Sequence, residues 1–149
     1  DVALAGRLGP TDESGARSAE EILQPGLYRT RWGACELCGA ALVAQIRGND
    51  AEAARLLDTL AGFLDRTEGA GHVWHALHYL RACVQAQRGD VAAALDSLER
   101  AVAMGWRRAW WMRLDPTLAP LRGDERFGRL LMRVEAASGA GRSRLAAAP

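Results

Sequence analysis

Apolar residues recur along this chain with the period of a helix. The pattern is clearest over residues 89–127, where Ala93, Ala94, Leu98, Ala101 and Val102 fall at i, i+1, i+5, i+8 and i+9 and form a single apolar stripe. The turn Gly89-Asp90 opens that helix and Gly105 stops it. Small side chains at Ala94 and Ala101 let a neighbouring helix approach closely, where Leu would hold it away. A Trp-rich run follows, and Asp115-Pro116 then opens a second short element.

The same grammar occurs earlier. Sliding the chain by 41 residues lays Val43 on Val84, Gly48 on Gly89, Ala53 on Ala94 and Leu57 on Leu98. Each Gly turn follows a mostly apolar run, residues 32–46 and 73–86, and precedes a second helix. The pattern predicts a helix over residues 30–46 and a turn at Arg47-Gly48-Asn49-Asp50 with Asp50 as N-cap. The next helix presents Ala53, Leu56, Leu57, Leu60 and Leu64, and a loop covers residues 67–71. A third begins near His72 and shows Val73, Trp74, Leu77, Leu80 and Val84; a last one, from Phe127, carries Leu130, Leu131 and Val134. Residues 1–27 read as a flexible lead or linker, in which Ser18 and Glu21 form a capping box for a short helix. Residues 138–149 are expected to be a disordered tail, which leaves 28–137 as the helical repeat domain.

Residues 79–131 resemble the last repeat and terminal cap of bacterial tetratricopeptide-like domains. RGDVAAALDSLERAV, residues 88–102, is similar to their G-D-x-x-x-A-x-x-x-L-x-x-A core, and LDPTLAPLRGDERFGRLL, residues 114–131, looks like their terminal signature. In that signature Asp-Pro breaks a helix, Leu118 and Leu121 pack, and Arg122 to Phe127 opens the closing helix. Gln85 stands where the repeat has Tyr, and Trp106 where it has Pro. The resemblance implies an all-α fold of antiparallel helix-hairpin repeats, a tetratricopeptide-like superhelix of two hairpins plus a terminal capping helix. It also implies a protein-binding or scaffold role in the C-terminal part of a larger regulatory protein. Winged-helix regulators, serine/threonine kinases and adenylate cyclases are the settings in which such domains occur.

In such arrays the first helix of each hairpin lines the concave surface. On this chain that implies a groove of Cys35, Cys38, Leu42 and Ile46, then Ala76, Tyr79, Cys83 and Ala86. Family members that clamp a peptide's terminal carboxylate use Lys, Arg and Asn at such positions. None stands here, which leaves an apolar groove for a protein or peptide partner or for the chain's own upstream helix. Trp106, Arg107, Trp110 and Trp111 are expected as the surface of a cap over the open end of the stack, since terminal units are atypical.

Composition agrees with helices. Of 149 residues, 49% are apolar and 29 are Ala, while Phe and Tyr number two each. All 19 basic residues are Arg, set against 18 Asp and Glu, a balance that offers no electrostatic case for nucleic acid. No apolar stretch is long enough to span a membrane. Three Cys make no disulfide framework and point to the cytoplasm. The start lacks an initiator Met and signal-peptide organisation, as expected of a piece of a longer chain.

Cys35 and Cys38 lie on one side of a helix, and His72, His75 and His78 follow at intervals of three. Cys35, Cys38, His75 and His78 are a conceivable zinc set. Structural zinc, however, clips loops rather than helix middles, and a redox pair needs a strand before it, so no metal or cofactor is expected. Arg107-Arg108 beside Trp110-Trp111 resembles a stacking-plus-phosphate patch, but one Arg pair binds weakly. HExxH, GxSxG and a phosphate-binding loop are absent from the sequence, and Asp50, Asp90, Asp96 and Glu99 read as caps or surface, with Asp96 paired to Arg100. The expectation is a non-enzymatic interaction module. Its alternatives are a free-standing adaptor that forms a homodimer through the first hairpin, and a metal sensor using the Cys and His set.

Overall fold

The computed structural model describes residues 27–146, with side chains over 34–139. The described part is all-α and contains no strand. In chain order it holds α1 (Leu27–Ile46), α2 (Asp50–Gly69), α3 (His75–Gln87), α4 (Val91–Ala103) and α5 (Ala109–Leu114). A 3-10 segment, Pro116–Leu121, and α6 (Glu125–Ala146) complete it. The expected lead, with its Ser18 and Glu21 capping box, lies outside the described residues apart from Leu27.

The chain divides into two compact units, Asp1–Phe63 and Leu64–Pro149. In the first, α1 buries Ala34, Leu37, Cys38, Ala41 and Ala44, and α2 buries Ala53, Leu56, Leu57 and Leu60. Both sets follow the i, i+3, i+4, i+7 spacing of one helix face. The side chains on α1 are mostly Ala, which permits close backbone approach, whereas α2 supplies the bulk through Leu.

The connection α1–α2 and the connection α3–α4 are built bond for bond alike. In the first, Gly48 N–H donates to Gln45 O and Asn49 N–H to Ala44 O, each at 2.9 Å; in the second, Gly89 N–H donates to Ala86 O at 3.0 Å and Asp90 N–H to Gln85 O at 2.9 Å. This crossed pair closes a helix through a left-handed residue. Gly48 and Gly89 occupy that residue, with φ of 74° and 81°. The next residue then caps the following helix: Asn49 Oδ1 accepts from Glu52 N–H at 3.2 Å, and Asp90 Oδ1 from Ala93 N–H at 3.1 Å. The N-cap of α2 is therefore Asn49 rather than Asp50, which lies inside the helix. Every equivalent pair is separated by the 41 residues read from the sequence. The same closure ends α2 at Gly71 and α4 at Gly105. Helix α2 thus runs on to Gly69, into the stretch expected as a loop.

In the second unit α3 is the central helix. Nine of its 13 residues are buried, around its whole circumference, as befits a helix packed on several sides. Helix α4 lies antiparallel against it, and the Gln85 amide and Ser97 hydroxyl meet between them at 2.7 Å. With the amide nitrogen turned to α4, Gln85 also donates to Ala93 O at 3.0 Å. A polar bridge thus joins the two helices at Gln85. The 3-10 segment packs on α3 and α4, and Leu118 and Leu121 are wholly buried there. Helix α6 packs on α4 and α5 through Phe127, Leu130 and Val134, while Leu131 is half-buried.

Charged pairs fasten the ends. Arg81 on α3 donates to Asp65 and Glu68 of the last turns of α2, each at 2.7 Å. Arg126 on α6 donates to Asp96 at 2.7 Å and Glu99 at 3.1 Å on α4, so Asp96 pairs across helices and not with Arg100. Helix α6 extends past residue 138, where a disordered tail is expected, to Ala146. Ser138 Oγ donates to Val134 O at 2.9 Å and lies 2.8 Å from Arg107 O, which ties this turn to the start of α5.

Two glycine substitutions should therefore act in opposite directions. A Cβ would meet nothing within 4 Å at either Gly89 or Gly128, so only the backbone decides. Gly89→Ala forces a left-handed Ala and should cost about 1–2 kcal/mol. Gly128→Ala, inside α6, should add about 0.5–1 kcal/mol. Urea unfolding of the two variants would resolve the difference in sign.

Candidate functional site

The expected groove residues differ in exposure. In the first unit Cys35 is exposed, Leu42 half-buried and Ile46 77% exposed, while Cys38 turns into the core. In the second unit Ala76, Tyr79, Cys83 and Ala86 are all buried. The side of α3 that carries Tyr79 and Cys83 is covered by the chain itself. Trp106 and Asp115, both downstream, contribute to that cover. Tyr79 and Cys83 are therefore core residues closed to a partner.

That cover is a polar and aromatic knot. Asp115 ends α5 and caps the 3-10 segment: its Oδ1 accepts from Thr117 N–H at 3.0 Å and Thr117 Oγ1 at 2.7 Å. Its Oδ2 accepts from Tyr79 Oη at 2.8 Å, with Cys83 Sγ 3.9 Å away. The Tyr79 ring stacks on Trp106, with centroids 4.0 Å apart and planes 11° from parallel, and His75 meets the same indole edge-on at 5.7 Å. One tyrosine thus joins α3 to two later segments, by its ring and by its hydroxyl. Trp106, expected on the cap surface, is buried, and its Nε1 has no partner among the described residues. Its large ring lies between the end of α4 and the start of α3, against Tyr79 and His75.

The other cap residues do reach the surface. Trp110 is 60% exposed, Trp111 40% and Leu114 68%, all on the six-residue α5. The two indoles stand perpendicular with centroids 5.4 Å apart, an edge-to-face contact that leaves both partly exposed. Ala109 and Met112 anchor α5 from beneath. Arg107 is held by its Nη1 donating to Val102 O and Trp106 O, both at 2.9 Å, and the Arg108 guanidinium lies 6.0 Å from the Trp106 ring. Arg113 is paired with Glu135 on α6. Indole and guanidinium are the side chains most enriched at interaction hot spots.

The Cys and His set divides between the units. Cys35 and Cys38 belong to the first, His75 and His78 to the second. Among the described residues no group of three or more His, Cys, Asp or Glu is placed to hold a metal ion. No helix among them is long and apolar enough to cross a membrane. His78 is buried, and its Nδ1 has no partner among the described residues. Burial holds its pKa below the ordinary imidazole value; Arg100 and Arg81 act in the same direction and Glu68 opposes them.

Two measurements follow from this geometry. Tyr79→Phe keeps the stack on Trp106 but leaves Asp115 short of its strongest cross-helix donor. It should cost about 1.5–3 kcal/mol in urea unfolding while the near-ultraviolet Trp signal persists. For His78, the folded state binds fewer protons than the unfolded state below the ordinary value of about 6.5. Stability should therefore fall as pH drops through that value towards the folded one, and His78→Gln should flatten this part of the profile.

With this geometry in hand, the chain was compared with protein-family models, curated proteins and solved structures, and it matches none of them.

Proposed function

We propose that this chain is a tetratricopeptide-like helical-hairpin domain that serves as a non-catalytic protein-interaction module. Its setting, by the same resemblance, is the C-terminal part of a larger regulatory protein in the cytoplasm. The repeat part of the reading is supported by the two interhelix turns that recur bond for bond 41 residues apart. The observation that carries the interaction part is the pair of exposed, perpendicular indoles of Trp110 and Trp111, beside exposed Leu114. Full burial of a large apolar side chain is worth roughly 1.5–3 kcal/mol, and the partial exposure of these three forgoes a share of it at each. A contiguous face of this kind marks a docking surface.

The non-catalytic part is supported by how the acidic groups are used. Asp90 and Asp115 cap helical segments, and Asp65, Glu68, Asp96 and Glu99 hold arginines. None of these carboxylates is paired with another in the manner of an acid–base dyad. A second reading, homodimerisation through the first hairpin, draws on Val43 and Ile46, which α1 leaves exposed.

Affinity capture from an extract of the source cells, with the intact chain and with Trp110→Ser/Trp111→Ser as baits, tests the proposal. The intact chain should retain a discrete protein that the variant loses, with circular dichroism of the two baits unchanged. Equal capture by both, or capture by neither, would remove the Trp face from the function. Light scattering at two concentrations separates the homodimer, which Ile46→Glu and not the Trp variant should then dissociate.

A further inference from the structure

Charge is unevenly placed along this chain. Residues 1–105 carry ten Arg against fourteen Asp and Glu, whereas residues 106–133 carry seven Arg against three. The basic stretch is the one that contains α5. Its own acidic groups are occupied: Asp115 faces Tyr79 and Thr117, Asp124 Oδ1 accepts from Arg126 N–H at 2.7 Å, and Glu125 pairs with Arg129. Arg126 and Arg113 are neutralised by carboxylates of other helices.

Three guanidiniums at the ends of α5 are not. Arg107 and Arg108 stand at its start, Arg108 as the N-cap. Arg122 sits at its other end, with Nη2 donating to the carbonyl of Asp115, the C-cap, at 3.1 Å. Among the described residues none of the three meets a carboxylate. Arg107 and Arg122 bond only to backbone carbonyls, and Arg108 lies over an indole. Neutral tethers of this kind position a guanidinium and leave its charge uncompensated. Its remaining donors can take a carboxylate in a two-pronged bond. Between the two ends run Trp110, Trp111 and Leu114, an apolar strip roughly 9 Å long for six helical residues.

We infer that the α5 face docks an acidic protein segment with a short apolar centre, whose side chains pack on the exposed Trp110 and Trp111 while flanking carboxylates meet Arg107, Arg108 and Arg122. This inference rests on the interaction-module reading and adds the chemistry of the partner. Apolar anchors supply the affinity, and the fixed positive ends set register and reject basic segments.

The probe is a fluorescein-labelled peptide of Leu-Phe-Leu flanked on each side by three Glu, with a Gln-for-Glu twin, titrated by anisotropy against the full chain. The acidic peptide should bind at least about tenfold more tightly than its twin, and weaken about tenfold from roughly 50 to 500 mM NaCl. Trp110→Ser/Trp111→Ser and Arg107→Gln/Arg108→Gln should each lower its affinity about tenfold with circular dichroism unchanged. Equal binding of the twin, or binding of neither peptide, overturns the inference. So does tighter binding of phosphatidylglycerol vesicles or of a thymidine oligonucleotide. A captured partner that depends on the Trp pair but is kept by Arg107→Gln/Arg108→Gln in high salt would leave the interaction module standing and remove the acidic partner.

Discussion

The second unit depends on one side chain that makes two contacts of different kinds. Tyr79 presents its ring to Trp106 and its hydroxyl to Asp115, and so ties two later segments to α3. The stack fixes where the chain leaves α4, and the hydrogen bond fixes where it leaves α5. Between those two points the chain has little choice, so α5 must ride outside α3. The carboxylate is well served, with two acceptor bonds to Thr117 and one to Tyr79, which makes its partial burial tolerable.

The exposure of Trp110 and Trp111 follows from that arrangement. A six-residue helix has room for one buried face, and Ala109 and Met112 take it. The remaining apolar residues are left in water by geometry. The same route places Arg107 and Arg108 before the helix and Arg122 after it, where backbone carbonyls and an indole hold them. The surface is therefore a by-product of how the cover over α3 is tied down, and its chemistry can be selected without disturbing the core.

The turns tell a complementary story about repetition. Gly48 and Gly89 are needed for their left-handed backbone, and Asn49 and Asp90 for a short side chain that can reach back to the third amide of the next helix. These are local demands, satisfied within a few residues, which is why they survive at a spacing of 41 although the helices around them differ. Helix α2 spans 20 residues and α4 only 13, and Val43 is exposed where its counterpart Val84 is buried. The hairpin is repeated at its hinge and not along its length.

Most helices and the two Gly-Asx turns were legible in the sequence, because apolar spacing and such turns act through neighbours in the chain; the ends of α2 and α6 and the start of α3 were not. Of the stripe Ala93, Ala94, Leu98, Ala101 and Val102 all but the half-buried Ala93 are buried, and Leu118 and Leu121 pack as their motif implies. Helical periodicity could place Tyr79 and Cys83 on one side of α3, but it could not say what covers that side. The covering residue Asp115 lies 36 residues away from Tyr79, and nothing near either residue announces the pairing. For the same reason three tryptophans within six residues looked alike in the sequence, and only the tertiary structure sent Trp106 inward and left Trp110 and Trp111 outside. What the chain alone determined is local: which stretches are helical, where the Gly-Asx turns at Gly48 and Gly89 fall, and which face is apolar. What the tertiary structure decided is which apolar face is satisfied by the chain itself, since that depends on contacts between residues far apart in sequence.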